Sequence, residues 1–363
     1  MTERYSSNDF RLVVLSFSRF IVDIQQNISL KPYNTFAVDV QADFFVEIKD
    51  EQELFDLIST DVFAAQPHLI LWWGANILFT KDYKWLVIKI SLLGKEVIKQ
   101  EGNTVCIKAG AWEVWHDLMM RTLGHGFVWW ENLVFIPGQV GAAPVGNIGA
   151  FGKEAEELIY EAEGMDLTTK KKKTRTNSDC KFGYRDSIFK NELKNKVIIT
   201  AVTFVFEKDS ADYIPNTQYN DIQDVITQEE KSPLTIATQD VARIITDIRK
   251  RKLPDRTKVG TAWSFFKNPV VGKDQFEKLL VKYPQLKWNS APNGIKLSAG
   301  QLVELAGYKG KSEWRVGTYE NHALIIVNNG GASGAEIRAF AQSIQKKVLE
   351  LFDVTLESEV IIM

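Results

Sequence analysis

The chain has 363 residues, which is enough for two or three domains that each bury a core of their own. A net charge of −2 argues against binding to nucleic acid or an anionic membrane through overall charge. The two cysteines, Cys106 and Cys180, and the four scattered histidines lack metal-ligand spacing. No metal site is therefore predicted, a reducing cytoplasm is expected, and the histidines are interpreted as structural or surface residues.

The first 26 residues are predicted to be an N-terminal extension. Their apolar patches between residues 11 and 24 are interrupted by Arg19 and are too short to span a bilayer. Acidic residues precede the patches and no clear small-residue cleavage site follows them. A signal peptide is therefore not expected.

Residues 27 to 123 alternate between strand-like and helix-like patterns. Strands are predicted over residues 44–48, 69–71, 85–90 and 105–109. A short helix is predicted over residues 51–58. Residues 112–123 have helical periodicity, and one face of that helix carries Trp115, Leu118, Met119 and Thr122. This alternation is typical of an α+β nucleotide-binding region.

Residues 136–152 hold five glycines and no charged side chain. Glycine allows close approach and unusual dihedral angles, and bare backbone N–H groups can then donate to an anion. A dinucleotide diphosphate would suit such a run. The alternative is a tight, solvent-facing turn region, although a plain loop of this length is normally more polar.

The second half of the chain begins with strand-like alternation over residues 159–207. Residues 168–173 include four lysines at the expected hairpin tip, and a solvated turn is favoured there over a phosphate grip. An amphipathic helix is predicted over residues 237–252, and it ends before Pro254. Further helices over residues 275–281 and 335–352 indicate a separate small α+β domain.

Five more segments accompany the glycine run, at residues 32–36, 74–79, 182–190, 264–269 and 356–360. With the run, they resemble in content and order the motifs of the UDP-N-acetylenolpyruvoylglucosamine reductases (UDP-N-acetylmuramate dehydrogenases). The resemblance covers roughly residues 27 to 361 and is to the longer-loop type of the family, which carries a substrate-binding tyrosine.

The resemblance implies an α+β chain with an FAD-binding fold of the vanillyl-alcohol-oxidase/p-cresol-methylhydroxylase type and a small C-terminal substrate domain. It implies two FAD-binding subdomains, a substrate-binding domain and a C-terminal strand carrying a glutamate, over residues 27–92, 93–236, 237–355 and 356–363. The implied reaction is NADPH-dependent, FAD-mediated reduction of UDP-N-acetylglucosamine enolpyruvate to UDP-N-acetylmuramate in peptidoglycan precursor synthesis. A cytoplasmic monomer is expected, with a small-molecule substrate and no nucleic acid or membrane partner.

Three residues are implied to be catalytic. Arg185 would stabilise a developing enolate, since a guanidinium keeps its charge when buried and can pair a carboxylate; a structural ion pair with Asp186 or another acid is the alternative. Ser264 would deliver a proton, and the alternative is a helix or turn cap. Glu359 would partner Arg185 and the substrate carboxyl. Glu357 is its fallback, and a surface pair is the alternative.

The remaining implied residues bind substrate or cofactor. The substrate-binding set is Tyr184, Tyr219, Lys252, Lys267 and Asn268. The cofactor-binding set is Tyr33, Asn34, Thr35, Gly74, Ala75, Asn76, Pro137, Gly138, Gly141, Ala142, Ala143, Asn147, Gly149 and Gly152.

Several tryptophans depart from the family pattern. Trp72 and Trp73 stand where the first phosphate loop of the family has glycine, and Ala75 replaces its serine. Four other tryptophans also replace glycine: Trp112, Trp129, Trp263 and Trp314. Bulky residues are strained by roughly 1–2 kcal/mol wherever the backbone needs a positive φ.

An indole in the phosphate loop would also fill the space that a diphosphate needs. The alternative function is therefore a flavin-deficient, non-catalytic relative that keeps the fold. A different flavin oxidase has less support, because no histidine or cysteine is placed for covalent flavin attachment.

Overall fold

The structure is a computed structural model that describes residues 22–208, 213–255 and 258–363. Most of the expected N-terminal extension lies outside the described residues, although residues 25 and 26 begin a strand. Within those ranges, no helix has both the length and the apolar character needed to cross a membrane.

Twenty-one strands occur in the described ranges. The first eleven are β1 (Gln25–Ser29), β2 (Gln41–Ile48), β3 (His68–Leu71), β4 (Ile77–Leu78), β5 (Tyr83–Ile90), β6 (Lys95–Glu101), β7 (Thr104–Gly110), β8 (Phe127–Val128), β9 (Gly149–Ala150), β10 (Lys153–Glu154) and β11 (Ile159–Asp166). The others are β12 (Lys171–Thr176), β13 (Val197–Lys208), β14 (Gly260–Ser264), β15 (Val270–Val271), β16 (Trp288–Ala291), β17 (Gly294–Leu297), β18 (Ser312–Glu313), β19 (Val316–Tyr319), β20 (His322–Asn328) and β21 (Ile361–Ile362).

Nine α-helices occur in the same ranges. They are α1 (Glu51–Ile58), α2 (Asp61–Ala65), α3 (Trp115–Gly124), α4 (Ala143–Gly146), α5 (Asn220–Gln228), α6 (Thr238–Lys252), α7 (Lys273–Lys282), α8 (Ala299–Leu305) and α9 (Gly334–Phe352).

The first sheet has the order β1-β2-β5-β3, with parallel pairing between β2, β5 and β3. Helix α1 begins after Asp50, whose side chain caps the helix by accepting from the Glu53 N–H group. The buried side of α1, Leu54, Leu57 and Ile58, packs on this sheet. The predicted helix over residues 51–58 and the three predicted strands of this region are therefore confirmed.

The second sheet is antiparallel, with the order β12-β11-β13-β7-β6 and β8 added to β13. Its core includes the predicted inner face of α3, although this helix begins at Trp115 and not at residue 112. Helix α6 also packs its apolar side into this core. The expected division at residue 237 is thus at odds with the packing, because it separates α6 from the core that buries it.

The third region contains a four-stranded sheet, β14-β20-β19-β18, and a small sheet, β15-β17-β16. Helices α8 and α9 supply core residues here, and that core is continuous with residues of β2, β4 and β5. Glycine is required at Gly260, because a Cβ atom there would collide with the carbonyl oxygen of Phe36. The N-terminal and C-terminal parts of the chain therefore share one core.

The lysine-rich segment differs from its predicted conformation. Only residues 167–170 form the turn, while Lys171–Thr176 is strand β12. Lys172 pairs with Glu51 and Glu163 at 2.7 Å, and Lys173 pairs with Asp166 at 2.7 Å. These ion pairs with acids of neighbouring elements hold lysines that the sequence pattern placed in a solvated turn.

Backbone strain falls on only some of the tryptophans. Trp129, Trp263 and Trp314 have φ angles of 84°, 64° and 57°, a region in which a side chain is disfavoured. Trp72 and Trp73 are not among the residues with positive φ. The strain anticipated for the first loop is therefore absent at its two tryptophans.

We predict that Trp314→Gly raises the free energy of unfolding by roughly 0.5–1 kcal/mol, because the gain from relieving a left-handed conformation exceeds the entropy cost of glycine. Trp314 is 79% exposed, so little packing is lost. Chemical denaturation would measure the change. The matched control is Trp85→Gly, which removes a half-exposed tryptophan from strand β5 and should lower stability. A loss of stability in Trp314→Gly would contradict this account.

Candidate active site

The end of the chain pairs with the segment that follows the first predicted phosphate loop. Ile361 and Ile362 of β21 lie parallel to Ile77 and Leu78 of β4. Just before this pairing, Asn76 Nδ2 donates to the Glu359 carbonyl oxygen at 3.1 Å. The expected strand over residues 356–363 is thus limited to two residues, and Glu359 lies outside it.

Glu359 is also hydrogen-bonded to the residue that follows strand β14. Its N–H group donates to the Phe265 carbonyl oxygen at 2.9 Å, which places Glu359 next to Ser264 in the backbone network. Ser264 ends β14 opposite Ile325, beyond a bulge that begins at Thr261. Across the described ranges, the Ser264 hydroxyl is in no side-chain hydrogen bond, so it is available to a ligand.

Arg185 reaches the same place from a tight turn. Its φ angle is 54°, and the turn is closed by a bridge between Gly183 and Asp186. Nη2 donates to the Gly149 carbonyl oxygen at 2.6 Å and Nη1 to the Asn147 carbonyl oxygen at 3.2 Å. Two carbonyls of the glycine run therefore fix the guanidinium.

Two carboxylates face the Arg185 guanidinium. Glu359 Oε1 lies 3.7 Å from Nε, and Glu154 Oε1 lies 3.5 Å from Nη1. The local alternative, an ion pair with Asp186, does not form, because Asn191 Nδ2 occupies both Asp186 oxygens at 2.9 and 3.0 Å. Glu154 was not identified from the sequence, where it reads as one of several acidic residues after the run.

The Glu359 carboxyl is mostly buried and lies among cations. Burial raises its pKa, and the charges of Arg185, Lys190 and Lys267 act in the opposite direction. Lys190 has a lowered pKa, first because of its own burial and next because of Lys267. Its Nζ donates to the Arg185 carbonyl oxygen at 2.9 Å. Such crowded, desolvated charges are typical of functional sites.

Glu357 and Glu359 differ in their surroundings. The Glu357 side chain is 73% exposed and pairs with Lys267 at 3.1 Å, whereas the Glu359 side chain is 27% exposed. Between them, Ser358 bridges to Phe266. The geometry therefore favours Glu359 over the fallback residue as the partner of Arg185.

Tyr184 and Asn268 lie beside this cluster. Burial raises the Tyr184 pKa, and the nearby Arg185 and Asn268 side chains act in the opposite direction. Lys296 Nζ stands 4.2 Å from the centre of the Tyr184 ring. Lys296 comes from β17 and carries no sequence signal that could have identified it.

Tyr219 lies near Tyr184 and Phe151. Its ring meets the Phe151 ring edge-on, with 5.5 Å between ring centres, and Tyr184 lies close enough to raise the Tyr219 pKa further after burial. Lys252 instead pairs with Asp221 in the first turn of α5. Tyr219 therefore lies near Tyr184 of the Arg185 cluster. Lys252 is instead paired with the first turn of α5.

The first predicted phosphate loop is shaped by Gly74. Its φ angle is 62°, and a Cβ atom there would collide with the Tyr33 carbonyl oxygen. Thr35 donates to the Gly74 carbonyl oxygen from its N–H group at 3.0 Å and from Oγ1 at 3.3 Å. No carbonyl in the described ranges accepts from the N–H groups of Gly74, Ala75 or Asn76, which leaves three donors for an anion.

Other predicted cofactor-binding residues have structural partners. Asn34 is buried and its side chain bonds to Leu30 and Val38, which closes its own turn. Asn147, with a φ angle of 43°, bonds to Glu154 at 2.9 Å and to the Gly183 carbonyl oxygen at 3.1 Å. Both amides therefore organise the loops and leave ligand contacts to the backbone.

The glycine run is more ordered than a bare loop. It contains a short 3₁₀ turn over Val140–Ala142, then α4 and β9. The N–H groups of Val140, Gly141 and Ala142 bond to Glu113, Ala111 and Gln139. The expectation that this run offers bare N–H groups is wrong for these three, because neighbouring carbonyls already accept from them.

Other members of the run have varied surroundings. A Cβ atom at Gly149 would lie 3.0 Å from Arg185 Nη1, so glycine is needed for the guanidinium to approach. Gly138 accepts from the Trp115 N–H group, and Ala143 from Ile148. Gly152 is exposed beside Tyr219, while Pro137 and Ala142 are half-buried.

The Trp72 indole lies against the run. A Cβ atom at Gly141 would be 2.5 Å from Trp72 Cζ3 and 2.9 Å from Cη2. Tyr33, from the opening motif, stacks on Phe45 with 4.7 Å between ring centres. The indole therefore covers Gly141 on the side of the glycine run that faces the first loop.

We predict that Glu359→Gln changes how stability depends on pH. Because burial raises the pKa of Glu359 in the folded chain, its contribution is fully present below the unfolded pKa of roughly 4.3 and is lost as pH rises through the folded value. The Tm of the variant should gain on the parent as pH rises. A difference in Tm between variant and parent that stays constant with pH would contradict the assignment.

A family model, curated relatives and a solved structure resemble this chain. Residues 255–363 match the family model for the C-terminal domain of UDP-N-acetylenolpyruvoylglucosamine reductase. The reductase of Flavobacterium johnsoniae is 39% identical over 340 residues, covering 93% of this chain and 99% of the relative. The Pseudomonas putida reductase is 36% identical over 339 residues, covering 93% and 98%. The crystal structure of the Thermus caldophilus enzyme aligns with a TM-score of 0.63 at 20% identity, over 94% and 99% of the two chains.

Proposed function

The chain belongs to the UDP-N-acetylenolpyruvoylglucosamine reductase family, and we propose that it reduces UDP-N-acetylglucosamine enolpyruvate to UDP-N-acetylmuramate, with FAD as cofactor and NADPH as reductant. The observation that carries the proposal is the meeting of Arg185, Ser264 and Glu359 from three distant segments. The product is a peptidoglycan precursor. The enzyme acts in the cytoplasm as a monomer on this small-molecule substrate.

The FAD-binding part has the vanillyl-alcohol-oxidase/p-cresol-methylhydroxylase type of fold. Residues 27–92 and 93–254 form the two cofactor-binding subdomains, and residues 255–363 form the substrate domain. Two observations support the division at residue 254: α6 packs with the second core, and the C-terminal family model starts at residue 255. The last residues join the substrate domain to the first loop.

Arg185 binds the carboxylate of the enolpyruvyl group. When hydride reaches the carbon β to that carboxylate, negative charge grows on the carboxylate oxygens, and a fixed guanidinium stabilises it without reorganising. The carbonyl oxygens of Gly149 and Asn147 hold the guanidinium in advance of that charge. A flavin held by the first loop would supply the hydride.

Ser264 donates the proton to the α carbon. Its hydroxyl has no competing acceptor in the described part of the chain, and it sits one residue from the Phe265 carbonyl that holds Glu359. A donor in this role needs correct geometry more than a strong base. Glu359, whose carboxyl group faces Nε of the guanidinium, keeps Arg185 oriented.

Tyr219, Tyr184, Lys267 and Asn268 surround the space for the sugar nucleotide. Tyr219 and the nearby Tyr184 supply aromatic faces and hydroxyl groups. Lys267 adds positive charge near Glu359. Lys252 needs to release Asp221 before it can reach the diphosphate.

The first loop fits the FAD diphosphate, because the N–H groups of Gly74, Ala75 and Asn76 have no carbonyl acceptor in the described part of the chain. In the glycine run, Gly141 would let the backbone come close to the diphosphate, but the Trp72 indole covers Gly141. The flavin therefore has to displace an indole, and that displacement lowers its affinity. The indole is half-buried and packs against two apolar clusters, so moving it also costs packing.

We predict that Arg185→Ala and Ser264→Ala each lower kcat by roughly 10²–10⁴-fold while flavin content stays the same, since neither side chain holds the cofactor. Steady-state NADPH oxidation and the visible spectrum after loading with FAD and desalting would measure both. Near-parental turnover in Ser264→Ala would reject the proton-donor role. A folded parent that retains no added FAD would favour the flavin-deficient alternative.

We predict that Trp72→Gly tightens FAD binding at least about tenfold, or roughly 1.4 kcal/mol, because the indole no longer has to move. Titration of apoprotein with FAD, followed by flavin fluorescence, would give both dissociation constants. Trp314→Gly is the matched control, since it removes an indole from the β18–β19 turn. An unchanged or weaker affinity in Trp72→Gly would show that the indole does not obstruct the cofactor.

A further inference from the structure

At positions 131 and 132, just after Trp129, the chain buries two polar side chains that the proposed mechanism does not use. Glu131 and Asn132 are both 0% exposed and form a short 3₁₀ turn with Leu133. A carboxyl group and a carboxamide are costly to bury without partners. In the described part of the chain, their side-chain hydrogen bonds all go to residues 213–216 and to Phe151, while Glu131 Oε2 and Asn132 Oδ1 have no partner there.

Glu131 holds the first end of the Tyr219 loop. The Tyr213 hydroxyl donates to Glu131 Oε1. The Tyr213 ring packs against the Trp129 ring with 4.5 Å between centres. The contact is therefore both polar and aromatic, and it precedes Tyr219 by six residues.

Asn132 holds the middle of the same loop. Its Nδ2 donates to the Asn216 carbonyl oxygen at 3.0 Å and to the Phe151 carbonyl oxygen at 3.4 Å. Asn216 Nδ2 donates to that same Phe151 oxygen at 3.4 Å, and its Oδ1 accepts from the Gln218 N–H group at 3.2 Å. The bonds thus run from Asn132 to the residue just before Tyr219.

Phe151 closes the arrangement. Its carbonyl oxygen accepts from both asparagines, while its ring carries Tyr219 edge-on. Gly152 leaves room for this contact, since a Cβ atom there would lie 3.3 Å from Tyr219 Cε2. The Tyr219 side chain is thereby fixed relative to the glycine run, whose Gly149 carbonyl holds Arg185.

We propose that Glu131 and Asn132 are positioning residues that anchor loop 213–219 and so set the place of Tyr219 for the sugar-nucleotide substrate. This inference rests on the proposed function for the identity of the substrate. The two side chains do not touch the reacting atoms. Their effect reaches the substrate through Tyr219 alone, so it should appear in binding and leave the chemical step unchanged.

The neutral form of Glu131 is sufficient for the anchor. The Tyr213 hydroxyl requires only an oxygen acceptor, and burial raises the pKa of this carboxyl group despite opposing effects, the largest from Tyr213. Glutamine offers the same acceptor at the same reach. Glu131→Gln should therefore preserve the anchor, whereas Glu131→Ala removes it.

The test compares the FAD-loaded parent with Glu131→Ala, Glu131→Gln and Glu163→Ala. Glu163 is a buried carboxylate in β11 that pairs with Lys108 and Lys172 away from the loop, so its loss controls for general destabilisation. Hydrogen exchange of residues 213–219 reports on the anchor without turnover. Calorimetry with UDP-N-acetylglucosamine enolpyruvate gives the dissociation constant, and steady-state kinetics give KM and kcat.

We expect Glu131→Ala to speed exchange of the loop and to raise both Kd and KM about tenfold, with kcat within about twofold of the parent. Glu131→Gln and Glu163→Ala should match the parent in exchange and Kd. Unchanged exchange in Glu131→Ala would overturn the anchor, and faster exchange with unchanged Kd would overturn the positioning role. A parent that binds the substrate but has no turnover would contradict the proposed function alone, because exchange and Kd still decide the anchor.

Discussion

The candidate active site depends on the pairing of the chain's last residues with the segment after its first loop. The β21–β4 pair, the Asn76–Glu359 bond and the bond between the Glu359 N–H group and the Phe265 carbonyl oxygen form one continuous connection. It brings the glutamate to the serine strand and to the loop with open N–H groups. Without this connection, Arg185 would lose the acid that faces its Nε. The first loop and the C-terminal glutamate would then no longer lie in one site.

The glycine run completes this site in a way that differs from its expected role. Its N–H groups at Val140, Gly141 and Ala142 are used inside the protein, whereas its carbonyls at Asn147 and Gly149 hold Arg185. The run is therefore as much a support for a cation as a surface for an anion. Glycine at position 149 matters because the guanidinium approaches the backbone there.

Local patterns predicted the elements whose burial has a clear period. Helix α1 was predicted with its observed bounds, since a capping aspartate precedes regularly spaced apolar residues. Strand β6 was missed because all seven of its residues are exposed and so show no alternation. The placement of Lys171–Lys173 in β12 depends on acids such as Glu51 and Glu163, which are distant in sequence. The candidate site residues were inferred from motifs, whereas the Trp72–Gly141 contact and the Lys296–Tyr184 contact depend on packing that no motif encodes.

The most direct measurement is the anaerobic visible spectrum of the FAD-loaded chain, taken before and after NADPH and then after UDP-N-acetylglucosamine enolpyruvate. The account predicts that NADPH bleaches the flavin bands and that the enolpyruvate restores them in the same molar amount. It also requires that Arg185→Ala is bleached normally and recovers far more slowly. Bands that stay bleached in the parent after the enolpyruvate is added would contradict the proposed reaction.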